Sequence, residues 1–204
     1  MSRTLSRPLR LGFLASRNGS SFRAIVAAIR SGGLDAEARL LVSNNRASGA
    51  MEFARETGTP CLAIPTQADP EAADAALRAA LEDAGVELVV LSGYLRRLGP
   101  LTLDRYRNRI LNIHPGLLPQ FGGEGMYGRR VHEAVIAAGV AESGMTIHLV
   151  DEEYDHGPVL RRKTEPLLAG DTAESLEARI TAAEPPFFLE TLKDVASGAL
   201  VLPD

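Results

Sequence analysis

Three residues in this chain are of a type and spacing to work together on one carbonyl. Asn112 and His114 lie in the run LNIHPGLLP (111–119), and Asp155 lies in DEEYDHGPV (151–159). Asn112 and His114 are two apart, so on an extended strand they point the same way. An amide donor beside an imidazole suits a developing oxyanion. A carboxylate near an imidazole favours its charged form and orients it. Asp155 precedes His156, Gly157 and Pro158, a turn that can aim its side chain back at the sheet edge. Pro115 and Pro119 stiffen the exit from the first run, and a site on a stiff segment loses less entropy when it binds. The bland alternative is a satisfied polar strand end with a capped turn. For Asp151, Glu152 and Glu153 a solvated acidic loop is the expected state.

A further stretch, SRNGSS (16–21), falls between a strand pattern and a helix pattern. Glycine lets backbone amides turn toward a ligand, and a helix N-terminus offers unpaired N–H groups. Asn18, Gly19, Ser20 and Ser21 would together cradle a phosphate. The stretch is neither GxGxxG nor a P-loop. A plain turn with a serine cap has the same spacing.

These residues need a scaffold, and the apolar pattern supplies one. Strand patterns fall at 9–15, 39–42, 60–64, 86–91, 109–113, 145–150 and 159–163. Helix patterns fall at 20–30, 47–57, 70–84, 128–138 and 172–192, with a short one from Pro100. The run VELVVL (86–91) is continuously apolar, as a central parallel strand covered on both faces should be. Alternation of strand and helix predicts an α/β chain: a doubly wound, mostly parallel sheet of about seven strands with helices on both faces. Ligands on such sheets bind beyond the carboxyl ends of the strands. All three chemical stretches fall there. Residues 1–8 read as a tail and 9–204 as one domain. The glycine-rich residues 122–128 are a candidate mobile loop.

Composition limits the function classes. With 204 residues, 45% hydrophobic and 24% charged, the chain can bury a sizeable core without disulfides. The one cysteine, Cys61, sits in a short apolar run and reads as core. A net charge of −4 gives no general attraction for nucleic acid or an anionic membrane. The longest apolar runs fall far short of a membrane span. His132 falls in a helix pattern and reads as surface or core; His148 lies in a strand pattern two residues from Thr146 and could face a cleft; His156 reads as exposed. No pair of histidines has zinc-ligand spacing, so no metal is expected.

Taken together, the motifs resemble the phosphoribosylglycinamide formyltransferase family of the purine pathway, from Leu9 to about Leu200. The family's N-x-H-P, L-L-P signature is matched by Asn112, His114, Pro115, Leu117, Leu118 and Pro119. Its S-x-N-G-S loop is matched by Ser16, Asn18, Gly19 and Ser20, and its aspartate before x-G-P by Asp155, Gly157 and Pro158. The resemblance implies the formyltransferase fold, with a phosphate- and ribonucleotide-binding N-terminal half, a folate-binding C-terminal half and a cleft between them. It implies formyl transfer from 10-formyltetrahydrofolate to glycinamide ribonucleotide without a metal. Asn112 and His114 would stabilise the oxyanion, and Asp155 would keep His114 charged and help move a proton. The ribonucleotide would touch Asn18, Gly19, Ser20, Ser21, Pro115 and Glu184. The folate would lie against Leu95, Arg96, Leu98, Leu103, Val150, Asp151, Glu152 and Tyr154. Thr146 and His148 match cleft-lining positions.

The chain also departs from the family. Gln120 replaces a frequent basic residue, and Pro70 stands near an arginine that reaches the phosphate in some members. Arg129 or Arg130 is the expected substitute. Pro185 and Pro186 are expected to bend or interrupt the last helix. Three other functions compete. A hydrolase of the same folate would carry an N-terminal regulatory domain, where only about eight residues precede the first strand. A methionyl-tRNA formyltransferase would carry a basic C-terminal RNA-binding domain. A non-catalytic folate- or nucleotide-binding module would not need Asn112, His114 and Asp155. The expectation is a cytoplasmic transferase, monomer or homodimer, whose partners are small molecules.

Overall fold

The computed structural model describes residues 7–204; of the expected tail at 1–8, residues 1–6 lie outside the described residues. Seven strands make one sheet: β1 (Leu9–Leu14), β2 (Ala36–Ser43), β3 (Cys61–Ala63), β4 (Leu88–Leu91), β5 (Ile110–His114), β6 (Glu142–Leu149) and β7 (Val159–Pro166). Their order is β3-β2-β1-β4-β5-β6-β7. The pairs from β3 to β5 are parallel, and β5–β6 and β6–β7 are antiparallel. The helices are α1 (Ser20–Arg30), α2 (Gly49–Thr57), α3 (Pro70–Asp83), α4 (Pro100–Arg105), α5 (Arg129–Ala138) and α6 (Ala173–Ser197).

The period-2 alternation of the strands splits the core into two layers. Leu11, Phe13, Val90, Leu111 and Ile113 pack with Phe22, Ile25, Val131, Ile180 and Phe188 from α1, α5 and α6. Leu14, Val42, Val89, Leu91 and Ile110 pack with Leu77 and Leu81 of α3 and with Tyr106. Gly12 lets α3 approach the sheet, since a Cβ there would meet Leu81 and Val86 at 2.9 Å. The chain runs outward from β1 to β2 and β3, then returns to β4 on the other side of β1. That reversal parts the loops after β1 and β4 and opens a crevice at the strands' carboxyl ends.

The sequence pattern locates every element, with shifted ends. Strand β2 starts at Ala36 rather than Arg39 because Leu9 of β1 pairs with it, and β6 starts at Glu142 because β7 runs on to Pro166 as its partner. The last helix is not interrupted: α6 passes through Pro185 and Pro186 and runs to Ser197. Ile180, Phe187, Phe188 and Leu192 of that helix are buried in the core. Their burial outweighs the local cost of about 3 kcal/mol for proline in a helix interior.

Candidate active site

The site grows from the antiparallel β5–β6 pair. Asn112 lies opposite His148 in the register, and His114 lies opposite Thr146. His148 is 2% exposed, and its Nδ1 lies 2.9 Å from the carbonyl of Leu149. A carbonyl only accepts, so Nδ1 carries the proton. In the neutral ring Nε2 is then an acceptor, and it takes an N–H from Asn112 Nδ2 at 3.1 Å. This fixes the orientation of the Asn112 amide and leaves its second N–H unused by His148.

Asp155 comes from the β6–β7 connection, in a left-handed backbone conformation (φ 55°). That conformation costs a non-glycine residue roughly 1–2 kcal/mol, and such strain gathers at functional sites. It turns the carboxylate inward. Oδ2 lies 3.3 Å from His114 Nδ1 and accepts from Gly123 N–H at 3.1 Å, and Oδ1 lies 3.5 Å from His148 Nε2. Burial raises the Asp155 pKa, and His148, His114 and the Gly123 N–H oppose it and hold the carboxyl below its ordinary range, a pull the two imidazoles exert only when protonated.

His114 is more enclosed than the sequence suggests. It is 3% exposed, and its Nε2 donates to the carbonyl of Phe121 at 2.6 Å. Burial lowers its pKa, against the opposing pull of Asp155 and the Phe121 carbonyl. Asp155 pulls toward the charged ring, as expected, and desolvation opposes it. With Nε2 protonated, a neutral ring turns a bare Nδ1 toward Asp155. The pair attracts only once a proton arrives between them.

The exit from β5 is clamped. Thr146 Oγ1 donates to Gly116 O at 2.8 Å and accepts from Leu118 N at 3.1 Å. Arg162 of β7 donates to Leu118 O at 3.0 Å. Thr146 is thus wholly buried and fastens the loop, rather than lining a cleft as expected. Pro115 is half-buried beside it. Gly116 is needed here, since a Cβ would meet Val131 at 2.9 Å and His114 Nε2 at 3.1 Å.

The loop after β1 ends at Gly19, which caps α1 in a left-handed conformation (φ 64°) and provides no side-chain cap. Asn18 and Ser20 are exposed around this uncapped N-terminus. Ser21 is buried at 2% exposure, so its hydroxyl is withdrawn from the open side, contrary to its expected place in the cradle. The expected replacement cations are engaged elsewhere: Arg129 pairs with Glu177 at 2.7 Å, and Arg130 lies over the Tyr127 ring. Ser16 ties this loop to the next. Its Oγ donates to Asn44 Oδ1 at 2.6 Å and accepts from Leu95 N at 2.8 Å.

Leu95 and Arg96 are exposed on the segment after β4, and Leu98 is buried. Leu98, Leu103 and Val150 belong to one apolar cluster. Arg97 Nη2 donates to Glu152 O at 2.8 Å and bridges to the acidic loop. Asp151 in that loop accepts from His156, while Glu152 and Tyr154 are exposed. Glu184 is half-buried on α6 with no ion pair among the described residues, and burial pushes its carboxyl up to about 7. His132 is buried on α5, its Nδ1 without a partner among the described residues. The described residues contain no group of three or more His, Cys, Asp or Glu able to hold a metal ion. None of their helices is long and apolar enough to cross a membrane.

Sequence reasoning missed Arg162, Arg97 and the enclosure of His114 by Phe121. It noted His148 only as a possible cleft residue; its spacing from Thr146 was the available signal.

Known proteins resemble this chain along most of its length. The Formyl transferase family model matches residues 9–192. The chain is 39% identical over 197 residues to the chloroplastic phosphoribosylglycinamide formyltransferase of Vigna unguiculata, covering 96% of this chain and 63% of that protein. It is 39% identical over 190 residues to the corresponding protein of Arabidopsis thaliana, covering 91% of this chain and 65% of that one. It thus spans just under two thirds of the length of these curated relatives. The crystal structure of glycinamide ribonucleotide transformylase 1 from Symbiobacterium toebii superposes with a TM-score of 0.87 at 34% identity, covering 97% of this chain and 92% of that one. By the extent of the match and the shared seven-stranded sheet, the chain belongs to the formyl transferase family.

Proposed function

We propose that this chain transfers the formyl group of 10-formyltetrahydrofolate to the amine of glycinamide ribonucleotide, in purine biosynthesis. The observation that carries this reading is the group Asn112, His114, His148 and Asp155, held together where β5 pairs with β6 and the β6–β7 connection folds over them. It sits on a scaffold similar to that of the Symbiobacterium toebii transformylase.

In this reading the substrate amine attacks the formyl carbon and a tetrahedral oxyanion forms. The N–H of Asn112 left unused by His148 donates to that oxyanion, a contribution typically worth about 10²–10³-fold in rate. His114 contributes its Nε2–H once the Phe121 carbonyl gives way. The amine proton passes, through water, to the His114–Asp155 pair and then to the departing N10 of the folate. The free, low-pKa imidazole accepts that proton next to a waiting carboxylate, which turns the contact between them into an ion pair.

The N-terminal half holds the ribonucleotide, with its phosphate on Asn18, Gly19 and Ser20, its body beside Pro115 and its amine end near Glu184. Ser21 contributes its main-chain N–H rather than its hydroxyl. The C-terminal half holds the folate between Leu95, Arg96, Leu98 and Leu103 on one side and Val150, Asp151, Glu152 and Tyr154 on the other. Residues 9–204 act as one domain with the cleft between the halves. The protein works in the cytoplasm as a monomer or homodimer, needs no metal and engages neither nucleic acid nor membrane.

The test is an absorbance assay of 10-formyltetrahydrofolate consumption with and without glycinamide ribonucleotide. Turnover that requires the ribonucleotide supports the transferase. Folate release without it identifies a hydrolase, and silence from folded protein overturns catalysis.

A further inference from the structure

The folate-facing segment, residues 95–103, is not held by packing alone: Leu98 and Leu103 join the apolar cluster, and hydrogen bonds hold its helix. Behind it, between α3 and residues 94–99, lies a cavity of about 280 Å³ lined by Leu77, Tyr94, Arg96, Leu98 and Asp74. Nor can α4 anchor itself. It has six residues, and its N-cap is Gly99, which has no side chain to cap with. The isolated turn would leave its first N–H groups unpaired.

Asp74 of α3 supplies what α4 lacks. Its Oδ2 accepts from Leu101 N at 2.8 Å, and its Oδ1 accepts from Thr102 N at 3.1 Å and from Thr102 Oγ1 at 2.5 Å. Asp74 is buried and makes no salt bridge, so these three donors are what satisfies its carboxylate among the described residues. A Cβ at position 99 would overlap the Asp74 carboxyl, so the glycine keeps the two helices in register. Among the described residues, Ser16 to Leu95 and Arg97 to Glu152 tether the opposite end of the segment, and Arg105 pairs with Glu82 of α3 at the last residue of α4.

We infer that Asp74, which touches neither substrate, is a positioning residue that sets formyl-donor affinity by fixing α4 and the Leu98–Leu103 wall. The inference rests on the proposed placement of the folate against that wall. An asparagine at 74 offers one acceptor oxygen to donors now shared between two, and its amide would confront one of them. The wall then shifts over the cavity behind it, while the strands carrying Asn112, His114 and His148 stay in place.

The experiment uses the full chain and its Asp74→Asn, Thr102→Val and Gly99→Ala variants. Each is melted to establish folding, then assayed for KM of each substrate, for kcat, and for affinity toward a non-transferring deaza analogue of the folate. Losing a buried bond to a charged acceptor should raise the folate KM and the analogue Kd about tenfold in Asp74→Asn. Ribonucleotide KM and saturated kcat should stay within about twofold, a split expected when only donor binding is lost. Thr102→Val retains the two main-chain bonds and should show a smaller rise in the same direction. Gly99→Ala decides the matter if Asp74→Asn does not fold. Folded variants with unchanged folate affinity, or with both KM values and kcat moving together, overturn the inference. Wild-type protein that neither binds the analogue nor turns over overturns the proposed function, and the inference with it.

Discussion

Asn112 and His148 face each other across the β5–β6 pair, with Nδ2 3.1 Å from Nε2. The main chain at Leu149 sets the tautomer of the imidazole, and the imidazole sets the amide. A backbone carbonyl therefore decides, through one ring, which way the candidate oxyanion donor points. His148→Phe keeps the ring's bulk and removes the acceptor. Turnover should fall about 10–100-fold with folate affinity retained, because a misdirected donor is lost only in the transition state. Steady-state kinetics check this, and an unchanged kcat would remove His148 from the mechanism.

Asp155→Asn keeps the shape of the β6–β7 connection but cannot receive the proton. Loss of acid–base function typically costs about 10²–10⁴ in rate, so turnover should fall by that order while the deaza analogue still binds. A variant that loses binding as well as turnover would instead assign Asp155 to folate recognition.

The two buried histidines and Glu184 should pull stability in opposite directions as pH falls below neutral, for separate reasons. Burial lowers the folded pKa of His114 and His132 below the ordinary 6.5. As pH drops through 6.5 the unfolded chain takes up protons that the folded one refuses, and stability is lost down through the lowered values. Glu184 has the opposite sign, since its folded pKa is raised from 4.5 to about 7. The unfolded carboxyl ionises first, so stability is lost as pH rises from 4.5 through about 7. Urea unfolding at pH 4 and pH 8 tests the assignment: Glu184→Gln should match wild type at pH 4 and exceed it at pH 8 by up to about 3 kcal/mol.

Gly116→Ala places a methyl group against Val131 and the His114 ring. Overpacking of this kind costs about 1–3 kcal/mol, and kcat should fall as the ring is pushed from Phe121. Val131→Ala should restore part of the stability in the double variant, measured by thermal or urea unfolding.

Much of this arrangement was legible in the sequence because it is local. The alternation of strand and helix patterns, the run of 86–91 and the stretches after strands follow from periodicity and turn residues. What was illegible depends on partners far along the chain. Thr146 looks like a strand residue beside His148 until antiparallel pairing sets it opposite His114. Nothing in the helix pattern at 70–84 marks Asp74 until α4 docks on it. The pull of burial on His114 comes from packing, which no motif encodes. Pro185 and Pro186 misled for a related reason: their local cost is visible in the sequence, and the packing of Phe187 and Phe188 that outweighs it is not.

The Phe121 carbonyl occupies the one N–H of His114 that faces away from Asp155. The nitrogen that would donate to an incoming formyl oxygen is thus occupied at rest, while the nitrogen beside Asp155 is left to receive a proton. On the proposed function, a formyl donor meets that N–H only after a ligand displaces Phe121. In that reading the bond at rest is a safety catch, released by binding before the chemistry begins.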